Sequence, residues 1–203
     1  MNSIETVIFD LGNVLLPFDW GQARKRMSTA TGCSRREVED YFVNTPFLGQ
    51  LEIGQLTAQQ FFEIVARDLR FRGSRAEFDE ILSNIFTIDD AMIRLTQALK
   101  GAYRRFILSN TIPQHIEYVF NKYPVLRDFD GHSLSYEVGL MKPDRRIYER
   151  TVQQFGIVAE RAVFIDDLPA NIAEAQAVGL LAIQHKSFIK TRRELTRLGI
   201  PNI

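Results

Sequence analysis

The sequence predicts a doubly wound α/β domain, a parallel sheet with helices on both faces (a Rossmann-like core), interrupted by an inserted helical segment. Three observations predict it. Short, largely apolar runs recur at Thr6–Phe9, Arg105–Leu108, Ala162–Ile165 and Leu180–Ile183, and such runs read as strands buried on both faces of a sheet. From about Asp89 onward the runs alternate with helix-patterned segments, the texture of βα units around a parallel sheet. Between the first run and that alternation, about Trp20 to Phe86, the patterning is helical and holds no convincing strand.

Each element has its own signals. Ala23 and Met27 belong to a helix that Gly32 stops. Ser34-Arg-Arg-Glu37, Thr57-Ala-Gln-Gln60 and Ser74-Arg-Ala-Glu77 each have capping-box spacing, in which side chain and backbone at a helix start satisfy one another. Phe61, Phe62, Val65, Ala66 and Leu69 follow the second box at helical intervals. About four helices are expected in this block. Asp89 to Lys100 reads as a helix stopped by Gly101, and His115 to Lys122 as another. An irregular stretch follows to about Met141. Helices are expected from Asp144 to Phe155, Pro169 to Val178 and Ser187 to Leu198, with Gly156, Gly179 and Gly199 at their ends. The expected division is an α/β core of residues 1–16 and 88–203 around a helical block of residues 17–87.

Composition excludes several classes. The chain has 203 residues, enough for a full core, and its 25 basic and 25 acidic residues balance. No global field then favours nucleic acid or an anionic membrane. Cys33 is the single cysteine, so no internal disulfide forms and a reducing compartment is expected. The first apolar run lacks a basic flank and is cut by Asp10, so neither a signal peptide nor a membrane span is expected there. The expectation is a cytoplasmic protein, monomer or homodimer, with a small-molecule partner.

The chemistry-bearing residues stand at strand ends. Asp10 follows the first strand, and Gly12-Asn13 turns the chain away from it. In open α/β sheets the carboxyl ends of the strands are where ligands bind. Ser109-Asn110-Thr111 end the second apolar run, Asp166-Asp167 end the third, and Lys142-Pro143 stand between them. Singly, each has a plain structural role as a turn residue, helix cap or solvated lysine. Two adjacent carboxylates after a buried strand are harder to explain, since like charges repel unless a cation joins them.

Taken together, aspartate, Ser/Asn, lysine and an acidic pair, in that order, closely resemble the haloacid dehalogenase-like hydrolase superfamily over essentially the whole chain. The helical block resembles the small cap many members carry. Gln50-Leu-Glu-Ile-Gly54, followed by Leu56-Thr57, is similar to the cap segment of its epoxide-hydrolase N-terminal and sugar-phosphatase branch. The resemblance implies a Mg²⁺-dependent phosphatase with Asp10 as nucleophile. It implies Asp10 and Asp167 as metal ligands with the Gly12 carbonyl, and Asp166 in contact with the ion or one step removed. Ser109, the Asn110 backbone N–H and Lys142 would hold the phosphoryl group, and a small phosphate ester such as a sugar phosphate would be the substrate.

One departure matters. Many phosphatases of the superfamily carry an aspartate two residues after the nucleophile, as general acid and base, where this chain has Gly12. Such assistance is worth about a hundred- to ten-thousand-fold. Three explanations stand: a carboxylate elsewhere (Asp19, Glu52 or Glu137), a substrate with a good leaving group, or a weakly catalytic protein that binds phosphate ligands. A metal-free 2-haloacid dehalogenase and a receiver domain are the further rivals. Of the remaining residues, His115, His132 and His185 show no metal-ligand spacing and read as helix-start or surface residues. Phe47, Phe61, Phe62 and Phe71 read as the core of the helical block, and Trp20 as a packing residue at its hinge or a wall of the substrate entrance.

Overall fold

The computed structural model describes residues 3–200. Five strands form one sheet: β1 (Thr6–Phe9), β2 (Arg104–Ser109), β3 (Gly131–Leu134), β4 (Ala162–Asp166) and β5 (Leu181–Gln184), in the order β3-β2-β1-β4-β5. Every pairing is parallel. The pleat sorts apolar side chains to two faces. Val7, Phe9, Ile107, Val163 and Ile165 enter one buried cluster. Ile8, Phe106, Leu108, Ala162 and Phe164 enter the other. Helices α6 (Asp90–Leu99), α7 (Pro113–Lys122), α8 (Ser135–Val138), α9 (Arg145–Gln154), α10 (Pro169–Ala177) and α11 (Phe188–Arg197) accompany the strands.

Between β1 and α6 lie α1 (Trp20–Thr31), α2 (Arg35–Asn44), α3 (Phe47–Glu52), α4 (Ala58–Asp68) and α5 (Arg75–Ser83). That is five helices where about four were expected. The extra one, α3, is a six-residue helix preceded by Pro46, which offers no side-chain cap, so no capping signal announced it. All three capping boxes form, and Gly32 ends α1 in the left-handed conformation at φ 76°. Met27, Phe61, Phe71 and Phe78 are buried in a third apolar cluster, with Phe47 and Phe62 packed against it.

The expected irregular stretch before Met141 contains strand β3. Its residues Gly131-His-Ser-Leu134 alternate weakly and begin with a residue that weakens strands. The structure gives the glycine its reason: a Cβ there would lie 2.6 Å from Phe155, whose ring stacks on Phe106 at 4.6 Å.

Candidate active site

Strand β1 sits between β2 and β4, with Phe9 level with Ile107 on one side and Ile165 on the other. Their carboxyl ends therefore stand side by side where the strand order reverses, the crevice that open α/β sheets use for ligands. Asp10 leaves β1 there, its N–H donating to the Ile165 carbonyl at 2.8 Å. It is 8% exposed. Its Oδ1 accepts from the Leu11 N–H at 2.7 Å and from Lys142 Nζ at 2.8 Å.

Lys142 reaches the site because Asn110 holds its main chain from both sides. The Lys142 N–H donates to Asn110 Oδ1 and Asn110 Nδ2 donates to the Lys142 carbonyl, each at 2.8 Å. The Asn110 side chain is thus committed to the lysine. Ser135, which no sequence signal singled out, braces the same loop by accepting from the Thr111 N–H and donating to its carbonyl.

The two adjacent aspartates divide into different environments. Asp166 is fully buried and its oxygens accept from Lys142 Nζ at 2.7 Å, the Leu168 N–H at 2.8 Å and Asn171 Nδ2 at 2.9 and 3.0 Å. A carboxylate offers about four lone-pair sites, so Asp166 is nearly saturated by protein and anchors the lysine. Asp167 is half-buried and takes one side-chain hydrogen bond, from Asn13 Nδ2 at 3.2 Å. Asn13 delivers that amide from a left-handed turn at φ 53°, a conformation asparagine tolerates better than most residues.

One oxygen from each of Asp10, Asp166 and Asp167 lies within 4.8 Å of the others, a group that could hold a metal ion. The electrostatics fit a cation. Three carboxylates face one ammonium, and burial pushes the Asp10 carboxyl up to about 7, with Lys142 pulling it down and Asp166 pushing it further up. Burial opposes the charge on Lys142 too, but Asp10 and Asp166 outweigh it and hold the ammonium above its ordinary value. An all-oxygen donor set with surplus negative charge suits a hard divalent ion such as Mg²⁺.

Next to these groups is a cavity of about 100 Å³. Leu11, Gly12, Ser109, Asn110 and Thr111 form its core side, and Trp20 and Glu52 come from the inserted helices. Phe18, Ile85, Phe86 and His115 complete the wall. A larger hollow on the outer face of α1, lined by Gln22, Lys25 and Arg26 among others, contains none of these carboxylates. Of the two expectations for His115, the helix-start one holds: it is the third residue of α7, not at the surface but 6% exposed, packed against Trp20 and Phe86 at 5.6 and 5.0 Å between ring centres. Burial pushes its imidazole down to about 4, so it is neutral at pH 7. Asn171, which positions Asp166, was also missed, because a lone helix asparagine carries no signal without its contacts.

Residues 4–179 match the sequence profile of the haloacid dehalogenase-like hydrolases. The chain belongs to that family. This hydrolase is 24% identical over 206 residues to a D-ribitol-5-phosphate phosphatase of Bacteroides thetaiotaomicron, covering 95% of this chain and 97% of the relative. It is 26% identical over 199 residues to a sesquiterpene phosphatase of Aspergillus oryzae, covering 97% of both chains. Among solved structures, a haloacid dehalogenase family enzyme of B. thetaiotaomicron in complex with magnesium and inorganic phosphate superposes with a TM-score of 0.83. It shares 25% identity and covers 91% of this chain and 95% of its own. No helix among the described residues of the hydrolase is long and apolar enough to cross a membrane.

Proposed function

We propose that this hydrolase is a Mg²⁺-dependent phosphatase that cleaves a small phosphate ester, a sugar phosphate foremost, through an aspartyl-phosphate on Asp10. In the same reading, residues 17–87 act as a cap over a catalytic core of residues 1–16 and 88–203. The observation that carries the proposal is the Asp10 carboxylate held by Lys142 and the Leu11 N–H, grouped with Asp167, next in the chain to a cavity that Leu11, Gly12, Ser109 and Asn110 line. The relatives' phosphatase activities support the substrate class.

The roles follow from charge and position. Asp10, Asp167 and the Gly12 carbonyl would hold Mg²⁺, with Asp166 held back by its own hydrogen bonds. The ion, when bound, offsets the negative charge of the carboxylates and of the phosphate oxygens. Lys142 orients Asp10 and adds a fixed positive charge where charge shifts in the transition state. Ser109 Oγ, whose hydroxyl now donates to the Asn110 carbonyl at 3.3 Å, and the Asn110 N–H would donate to the transferring oxygens. Asp10 attacks phosphorus in line with the leaving oxygen, and water then cleaves the acyl phosphate. A dehalogenase attacks carbon and needs no metal, so the carboxylate trio favours phosphoryl chemistry. The observation on the other side is Gly12, which carries no proton donor and favours a phosphate-binding protein of low turnover.

The test is phosphate release from an anomeric sugar phosphate, a primary sugar phosphate and an aryl phosphate, in Mg²⁺ and in chelator, with Asp10→Asn alongside. Turnover that needs Mg²⁺ and disappears in Asp10→Asn is expected. No release from any ester, with Mg²⁺-dependent binding of a phosphoryl mimic, would replace the phosphatase with a binding protein.

A further inference from the structure

Gly12 cannot be the site of the missing proton donor, and the structure shows why. A Cβ there would lie 2.9 Å from Phe18 Cε1, closer than carbon atoms pack. The Phe18 ring fills the space into which a side chain at position 12 would project. Any acid must enter the cavity from another wall.

Three carboxylates are in question, and two are engaged elsewhere. Asp19 is exposed, and its Oδ1 accepts from the Gly21 N–H at 2.8 Å as the N-cap of α1. Glu137 lies on α8 and borders a separate hollow with His132 and Arg150. Glu52 ends α3 and lines the same cavity as Gly12, Ser109 and Asn110. Among the described residues no hydrogen bond or ion pair involves its side chain.

Glu52 is also held there by design of the backbone. The next turn brings Gly54 so close to α8 that a Cβ at its φ of 70° would collide with the Tyr136 carbonyl oxygen. The end of α3 is therefore seated directly on the core, with Glu52 two residues before the seat. Burial raises its carboxyl above the ordinary glutamate value, the direction that keeps a proton available for transfer.

Resting on the phosphatase reading, we infer that Glu52, delivered from the inserted helices, is the general acid and base that position 12 lacks. In the first step an Asp10 oxygen bonds to phosphorus, the bond to the leaving oxygen breaks, and the Glu52 carboxyl gives that oxygen its proton. In the second, the Glu52 carboxylate takes a proton from water as the water oxygen bonds to phosphorus. The bond to Asp10 breaks, phosphate leaves, and both side chains return to their starting forms.

The experiment compares Glu52→Gln with wild type on the best alkyl phosphate and on 4-nitrophenyl phosphate, whose phenolate departs without a proton. Glu137→Gln serves as the neighbouring carboxylate control. Glu52→Gln should lose about a hundred- to ten-thousand-fold in kcat on the alkyl ester. On the aryl ester it should release about one equivalent of nitrophenolate per enzyme in a rapid burst, then stall as aspartyl-phosphate waits for water. The burst also shows that the variant is folded and its nucleophile intact. Unchanged alkyl turnover, equal losses on both esters without a burst, or the same pattern in Glu137→Gln would overturn the assignment of Glu52. Failure of wild type to release phosphate from any ester would instead overturn the phosphatase reading and, with it, this role.

Discussion

Replacing Lys142 by Met keeps much of the side-chain length and removes the only cation among three carboxylates. Nζ lies 2.8 Å from Asp10 and 2.7 Å from Asp166, with the lysine side chain 2% exposed. Removing one partner of a buried ion pair costs about 3–5 kcal/mol, because the other is left buried and uncompensated. For a chain of this size each kcal/mol lowers Tm by about 2–4 °C, so a fall of about 10 °C is expected near neutral pH in chelator. The pH dependence identifies the cause. Burial already pushes Asp10 up to about 7 against Lys142's pull, and without the lysine it rises further. A carboxyl with a raised folded pKa stabilises the fold below its unfolded value of 3.8 and loses that contribution as pH climbs through the folded value. The deficit of Lys142→Met should therefore be largest at about pH 8 and shrink towards about pH 5, and saturating Mg²⁺ should narrow it at the higher pH. Thermal melts followed by circular dichroism, in chelator and in Mg²⁺ at both pH values, measure this. A deficit of the same size under all four conditions would refute the electrostatic argument from Asp10.

Two further predictions concern the walls of the cavity. His115, pushed down to about 4 by burial, is neutral in the folded chain, whereas the unfolded chain protonates it below about 6.5. Stability should fall by about 3 kcal/mol between those values as pH drops, and urea unfolding of His115→Phe should lack that part of the slope. Gly54→Ala puts a methyl group into the Tyr136 carbonyl at a positive φ. A stability loss of about 1–3 kcal/mol in urea unfolding is expected, with alkyl phosphate turnover falling more than the aryl burst as Glu52 is displaced.

What the sequence made legible was whatever obeys a local rule. Capping boxes, helix-stopping glycines and unbroken apolar runs located α1, α2, α4, α5 and four of the five strands, because each rests on contacts within a few residues. Strand β3 was illegible because its glycine answers to a stacking pair, Phe106 and Phe155, far away in sequence. Asp10 stood out because it leaves a strand end, and the structure brings Lys142, from the loop before α9, within 2.8 Å of it. Asp166 and Asp167 looked equivalent as letters, and only the hydrogen bonds from Leu168, Asn171 and Lys142 separate the anchored one from the one that Asn13 alone contacts through a side-chain hydrogen bond. His115 was legible as a helix-start residue but not as a buried one, because a lone histidine carries no mark of burial.

Sites of chemistry tend to break the rules that the rest of a fold keeps, and the degree of violation tracks how early each group became visible. Asp10, Asp166 and Asp167 press like charges together, so the adjacent pair stood out from its place after a buried strand. The phenylalanines of the inserted helices break nothing, and they turn out to be packing. Glu52 lies between these cases. On the sequence it is an ordinary glutamate near a helix end. Its position becomes informative only once Phe18 closes the space over Gly12 and the seat of Gly54 on α8 turns α3 towards the core. In the proposed mechanism the groups that handle the phosphoryl belong to the α/β core, whereas the proton donor comes from the inserted helices that line the same cavity.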